Sequence, residues 1–94
     1  MLFRKALGYV LSEYRHTSKL TLRQIVNRGS GRISYNYLWE LEQGRKEASS
    51  EMLDELASCL CIDTADLVIK VGIVMAGGVP NYLPKELDEQ LVDL

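Results

Sequence analysis

Leu2, Ala6, Leu7, Val10, Leu11 and Tyr14 recur at spacings of three and four, which predicts an amphipathic helix over residues 3–17. After the short connection Lys19 and Leu20, Thr21 reads as the cap of a second helix, from Leu22 to Arg28, with Leu22, Ile25 and Val26 inward. Gly29, Ser30 and Gly31 make a turn. Ser34 is the cap of a third helix, Tyr35 to Gln43, with Leu38 and Leu41 inward, and Gly44 stands where a helix-ending glycine belongs. Ala48 and Ser49 open a fourth helix, Ser50 to Cys61, with Met52, Leu53, Leu56, Ala57 and Leu60 as its core stripe. Asp63 caps a fifth, which starts at Thr64, runs through Ala76 and ends at Gly77 and Gly78. Pro84 fits the first position of a last helix reaching Asp93, lined on one side by Leu83, Leu87, Leu91 and Leu94. No segment alternates as a strand would, so the expected class is all-α.

The order short helix, tight turn, short helix, flanked by further helices, is informative in itself. Two short helices cannot bury their own apolar faces and need neighbours to complete a core. In a helix-turn-helix the second of the pair lies in the DNA major groove, so the side chains at its start are exposed and able to hydrogen-bond. Here they are Ser34, Tyr35 and Asn36, with Glu40 one turn later. Asparagine bonds adenine in a bidentate way and glutamate accepts from cytosine, while Tyr35 suits a phosphate or a thymine methyl. Trp39 and Tyr37 are expected to pack against neighbouring structure.

Charge sharpens this picture. The net charge of −2 and pI near 5.3 taken alone argue against a polyanion as partner. The distribution reverses that: residues 1–46 carry nine Lys and Arg against three Glu, and residues 47–94 carry two Lys against ten Asp and Glu. A basic front and an acidic back suit a protein that presents one face to a polyanion, and with the helix-turn-helix order the expected partner is double-stranded DNA. No apolar run approaches the roughly 20 residues of a membrane span, and the N-terminal segment lacks the apolar block of a signal peptide, so a cytoplasmic protein with no membrane contact is expected. Cys59 and Cys61 point in different directions on one helix and read as apolar fillers or exposed thiols. With His16 the only histidine and no nucleophile motif or phosphate loop, no catalytic residue, metal or cofactor is expected, and the chain does not read as an enzyme.

The fifth helix is apolar on more than one side. Leu67, Ile69, Val71, Ile73 and Val74, and the stripe Leu83, Leu87 and Leu91 beyond it, are expected to be covered by a second copy in an isologous homodimer. Gly72 would allow close approach of the two copies. The corresponding division is a DNA-binding domain over residues 1–66 and C-terminal helices for dimerisation over residues 67–94.

Residues 7–68 resemble the Cro/C1-type helix-turn-helix domain, the XRE family. The likeness is carried by Leu20 to Ile25, by Ile33 to Gly44, and by Ser49 and Leu53. The stretch from Tyr37 to Glu51 is similar to actinobacterial regulators of Clp protease genes. The resemblance implies a five-helix helix-turn-helix domain followed by a C-terminal dimerisation helix, in a transcription regulator that binds a palindromic operator as a homodimer. It implies that Tyr35, Asn36 and Glu40 read bases, that Thr21, Arg23, Arg45 and Lys46 touch phosphate, and that Arg15 and Glu42 form a pair tying the first helix to the third. The chain departs from the pattern between Val26 and Ser34, where it has about two residues more, which could bring Arg28 or Arg32 onto a phosphate. The alternative is an antitoxin or protein–protein adaptor that keeps the scaffold and docks a partner on the apolar C-terminal helices. With no ligand-binding domain visible, control is expected from abundance, a protease, a protein partner or the dimer equilibrium.

Overall fold

Each helix boundary follows from how its terminal backbone groups are satisfied. In the computed structural model, which describes residues 2–77, the chain forms α1 (Phe3–Thr17), α2 (Leu22–Arg28), α3 (Tyr35–Glu42), α4 (Ser50–Leu60) and α5 (Thr64–Gly77). The expected caps of α2, α3 and α4 form, while among the described residues no side-chain cap bond from Asp63 is present at the start of α5. The Thr21, Ser34 and Ser49 hydroxyl oxygens accept from the backbone N–H groups of Gln24, Tyr37 and Met52 at 3.1, 3.0 and 3.2 Å. Gln24 returns the bond, its Oε1 accepting from the Thr21 N–H at 2.8 Å, so α2 opens on a capping box.

Three helices end on left-handed residues with paired backbone bonds closing the last turn. Lys19 (φ 58°) follows α1, Gly44 (φ 74°) follows α3 and Cys61 (φ 60°) follows α4. In each, the next residue donates to a carbonyl five positions back: Leu20 to Arg15, Arg45 to Glu40 and Ile62 to Ala57, all at 3.0 Å. Glycine was foreseen at only one of these ends; the other two place an L side chain where it is sterically disfavoured.

One core runs through all five helices. Leu7, Val10 and Leu11 of α1, Ile25 of α2, Leu38 and Leu41 of α3, Leu56 and Ala57 of α4, and Leu67, Val71 and Val74 of α5 are buried together. α1 is central, packing on both α3 and α5. Its approach to α3 is set by Gly8, where an added Cβ would run into the Leu41 carbonyl oxygen and lie 2.8 Å from that of Glu42.

This arrangement corrects the reading of α5. Leu67, Val71 and Val74 recur at i, i+4 and i+7, and this stripe is fully buried inside the same chain. They therefore cannot face a second copy. The outward apolar residues of α5 are Val68, Ile69, Ile73 and Met75, from 37% to 59% exposed. The division drawn between residues 66 and 67 falls inside α5, whose buried stripe completes the core of the preceding helices. The expected last helix from Pro84 and the stripe Leu83, Leu87 and Leu91 lie outside the described residues.

Candidate nucleic-acid interface

α2 and α3 are joined by residues 29–34, and the longer turn is held at both ends. Ile33 is buried in the core. At the other end the Glu55 carboxylate of α4 accepts from the Ser30 N–H at 2.8 Å and the Ser30 hydroxyl at 3.1 Å. These hydrogen bonds hold the Glu55 carboxyl below its ordinary pKa, with the backbone bond the larger cause and the Ser30 hydroxyl next. Gly29 passes so close to α4 that a Cβ there would sit 2.9 Å from Glu55 Oε2.

α3 is then fixed from behind. Arg15 of α1 donates through Nε and Nη2 to both carboxylate oxygens of Glu42, at 2.7 and 3.0 Å, and through Nη1 to the Leu20 carbonyl at 3.0 Å. The pair implied by the family resemblance is thus present, and its bond to Glu42 raises the Arg15 pKa. Tyr37 is half-buried, and its hydroxyl donates to the Glu47 carbonyl at 2.9 Å, tying the chain beyond α3 back to the helix.

What remains outward on α3 is a face built from Tyr35, Asn36, Trp39 and Gln43, all exposed, with Glu40 partly so. These positions fall at i, i+1, i+4, i+5 and i+8, one side of an α-helix. The guanidinium of Arg23, from the first turn of α2, lies over the Tyr35 ring at 5.1 Å. The Gly44 turn folds the chain back so that Arg45 lies over the Trp39 ring, also at 5.1 Å, and Lys46 Nζ stands 3.8 Å from Glu40 Oε1. Asn36, Tyr37, Glu40 and Lys46 line a shallow depression on this face. Cations therefore flank both ends of a face that carries hydrogen-bonding and aromatic groups, a distribution suited to phosphates on either side of a groove.

The expected contact residues divide accordingly. Arg23, Tyr35, Asn36, Glu40, Arg45 and Lys46 come together on one surface, while Thr21 and Ser34 are exposed at the starts of α2 and α3 but use their hydroxyls as caps. Arg32 is exposed in the turn, 3.9 Å from Glu51 Oε1. Arg28 departs from the expectation. Its Nη1 donates to the Cys59 carbonyl at 3.2 Å and approaches Cys61 Sγ at 3.9 Å, so the guanidinium of this exposed residue is engaged at the negative end of α4. Trp39 departs too: expected to pack against a neighbouring helix, it is 38% exposed, on the side of α3 that carries Asn36 and Glu40. Trp39 and Gln43 were missed as members of this face. Their spacing of four and eight from Tyr35 was the available signal. Glu55 left none, because its partner Ser30 is 25 residues away.

No protein-family model matches the chain. It is similar to the transcriptional regulator ClgR of two Mycobacterium tuberculosis strains, with 39% identity over 75 residues, 80% of this chain. The chain spans 65% of the length of these curated relatives. Two crystal structures of the clp gene regulator ClgR from Corynebacterium glutamicum superpose on it with a TM-score of 0.72 each. One is 41% identical, covering 81% of this chain and 79% of that one; the other is 40% identical, covering 82% and 97%. With likeness of this degree in sequence and fold together, the chain belongs to the family of the clp gene regulator ClgR.

Proposed function

We infer that the chain is a sequence-specific, double-stranded DNA-binding transcription regulator that seats α3 in the major groove. The observation that carries this reading is the outward face of α3. Side chains able to hydrogen-bond base edges stand between Arg23 at one end and Arg45 and Lys46 at the other, in a member of a family named for regulating clp genes. Asn36 pairs with adenine and Glu40 accepts from cytosine, with Ser34 and Tyr35 at the groove edge. Thr21, Arg23, Arg32, Arg45 and Lys46 contact phosphate. Operators of clp genes are the first natural targets to test.

The protein works as a homodimer on a palindromic site. The exposed apolar side chains Val68, Ile69, Ile73 and Met75 of α5 favour this reading, since a second copy would remove them from water. The same face is where an adaptor or antitoxin would dock a partner, and that is the second reading.

Selection from random-sequence duplex DNA at two salt concentrations tests the first. The expected result is a palindrome with half-sites about one helical turn, roughly 34 Å, apart. Asn36→Ala and Glu40→Ala change the selected motif. No enrichment at the lower salt concentration overturns the DNA reading and leaves the docking of a protein on α5 in its place.

A further inference from the structure

The outward face of α3 carries more apolar surface than phosphate contact or hydrogen-bonding readout needs. Trp39 is a large aromatic on the second turn of an eight-residue helix, yet it is 38% exposed while its neighbour Leu38 is 2% exposed. Tyr35, one turn earlier on the same side, is 40% exposed. Each ring is backed by a guanidinium at 5.1 Å, Arg23 over Tyr35 and Arg45 over Trp39. Two backbone features set the second stack. The Gly44 turn brings Arg45 back over the last turn of α3, with its N–H donating to the Glu40 carbonyl at 3.0 Å. The bond from the Tyr37 hydroxyl to the Glu47 carbonyl then holds the following chain against the helix. Trp39 and Arg45 thus form a pair placed in advance beside Asn36 and Glu40.

We propose that Trp39, braced by Arg45, is a specificity-determining residue that selects thymine by packing on its C5-methyl group, at a base pair next to those read by Asn36 and Glu40. The proposal rests on the DNA-binding reading above. Thymine is the one base that presents a methyl group in the major groove, and apolar contact is how that group is told apart from the hydrogen-bonding edges around it. An indole face is matched to such a group and carries no hydrogen-bonding demand toward it. The cation over the ring serves a second purpose. The Arg45 guanidinium lies over the Trp39 ring at 5.1 Å, within cation–π range, and its five N–H groups leave donors for a phosphate. One pair therefore sets the register on the backbone and reads the adjacent base.

The test uses the operator selected by the full chain, with each thymine replaced in turn by deoxyuridine, which removes only the methyl group. At one thymine per half-site the wild-type protein should lose about fourfold in affinity, the worth of one buried methyl group. Trp39→Ala should bind the thymine and deoxyuridine forms of that site equally and still discriminate at the positions read by Asn36 and Glu40. Trp39→Phe, which keeps an apolar plate, should retain part of the difference. Arg45→Gln should lower the salt dependence of binding by about one phosphate contact per subunit. A thymine-to-deoxyuridine ratio that Trp39→Ala leaves unchanged at every position overturns the proposal while the DNA-binding reading stands. So does a wild-type protein indifferent to the methyl throughout. Failure of the wild type to select any duplex overturns both.

Discussion

Arg15 and Glu42 form a two-bond salt bridge, Nε to Oε2 at 2.7 Å and Nη2 to Oε1 at 3.0 Å, that fastens the central helix α1 to the rear of α3. The Glu42 side chain is 6% exposed and that of Arg15 15%, so the pair is largely withdrawn from water. Removing one member strands the other. Arg15→Ala should cost about 3 kcal/mol in denaturant unfolding, and Glu42→Ala less, because Arg15 keeps the Leu20 carbonyl and more access to solvent. Replacing both, as Arg15→Met with Glu42→Leu, should recover most of the loss. A double variant as unstable as Arg15→Ala would show that the pair contributes more than mutual neutralisation.

Gly8 fixes how closely those helices meet. Alanine there gains about 1 kcal/mol in helix propensity. Its methyl group, however, would be driven into the backbone carbonyls of Leu41 and Glu42, which cannot rotate away as a side chain would. Gly8→Ala should therefore be net destabilising by about 1–3 kcal/mol, seen as a lower Tm, with α3 displaced from α1. An unchanged Tm would mean that the interface relaxes freely.

The opposite substitution should help at the end of α1. Lys19 sits at φ 58°, a conformation that costs an L residue about 1–2 kcal/mol and glycine almost nothing. Part of the gain is offset by the greater freedom of glycine in the unfolded chain. Lys19→Gly should leave about 0.5–1 kcal/mol of stabilisation and raise the Tm by several degrees. A lower Tm would show that the Lys19 side chain makes a compensating contact.

Glu55 makes the turn between α2 and α3 sensitive to acid. Its pKa lies below the ordinary 4.5 in the folded protein, through the bonds from Ser30. A folded-state pKa lowered in this way contributes stability that is complete above the unfolded value and is lost as pH falls through the folded one. Tm measured against pH should thus show wild type above Glu55→Gln at neutral pH, with the two curves converging below about 4.5. A constant gap down to the lowest pH would place the contribution in packing instead of charge.

Arg28 and Arg32 should separate cleanly. Both are exposed, but Arg28 donates to the Cys59 carbonyl near the end of α4, whereas Arg32 stands in the turn with a 3.9 Å approach to Glu51. Arg28→Ala is expected to lower stability by about 1 kcal/mol and leave the salt dependence of DNA binding unchanged. Arg32→Ala is expected to do the reverse, lowering the salt slope by about one phosphate contact for each copy bound. Equal salt slopes for Arg32→Ala and the wild type would remove Arg32 from the interface.

The sequence by itself determined the five helices and the hydroxyl caps of α2, α3 and α4. The signals are local: apolar spacing of three and four, a hydroxyl before each of α2, α3 and α4, and glycine after α3. It also marked Tyr35, Asn36 and Glu40 as one outward set, because residues one and four or five apart on a helix share a side wherever the helix is placed. What it left undecided depends on which surface meets which. Periodicity showed α5 apolar on several sides, but only packing against α1 assigned Leu67, Val71 and Val74 to the core and left Ile69 and Ile73 outside. Arg28 and Arg32 look alike in the sequence, and the end of α4, 31 residues beyond Arg28, engages one of them in a hydrogen bond. Glu55 holding Ser30 and Gly8 meeting Leu41 are likewise contacts between distant parts of the chain. Local hydrogen bonding and side-chain period are written in neighbouring residues; burial and pairing are decided only when the helices close on one another.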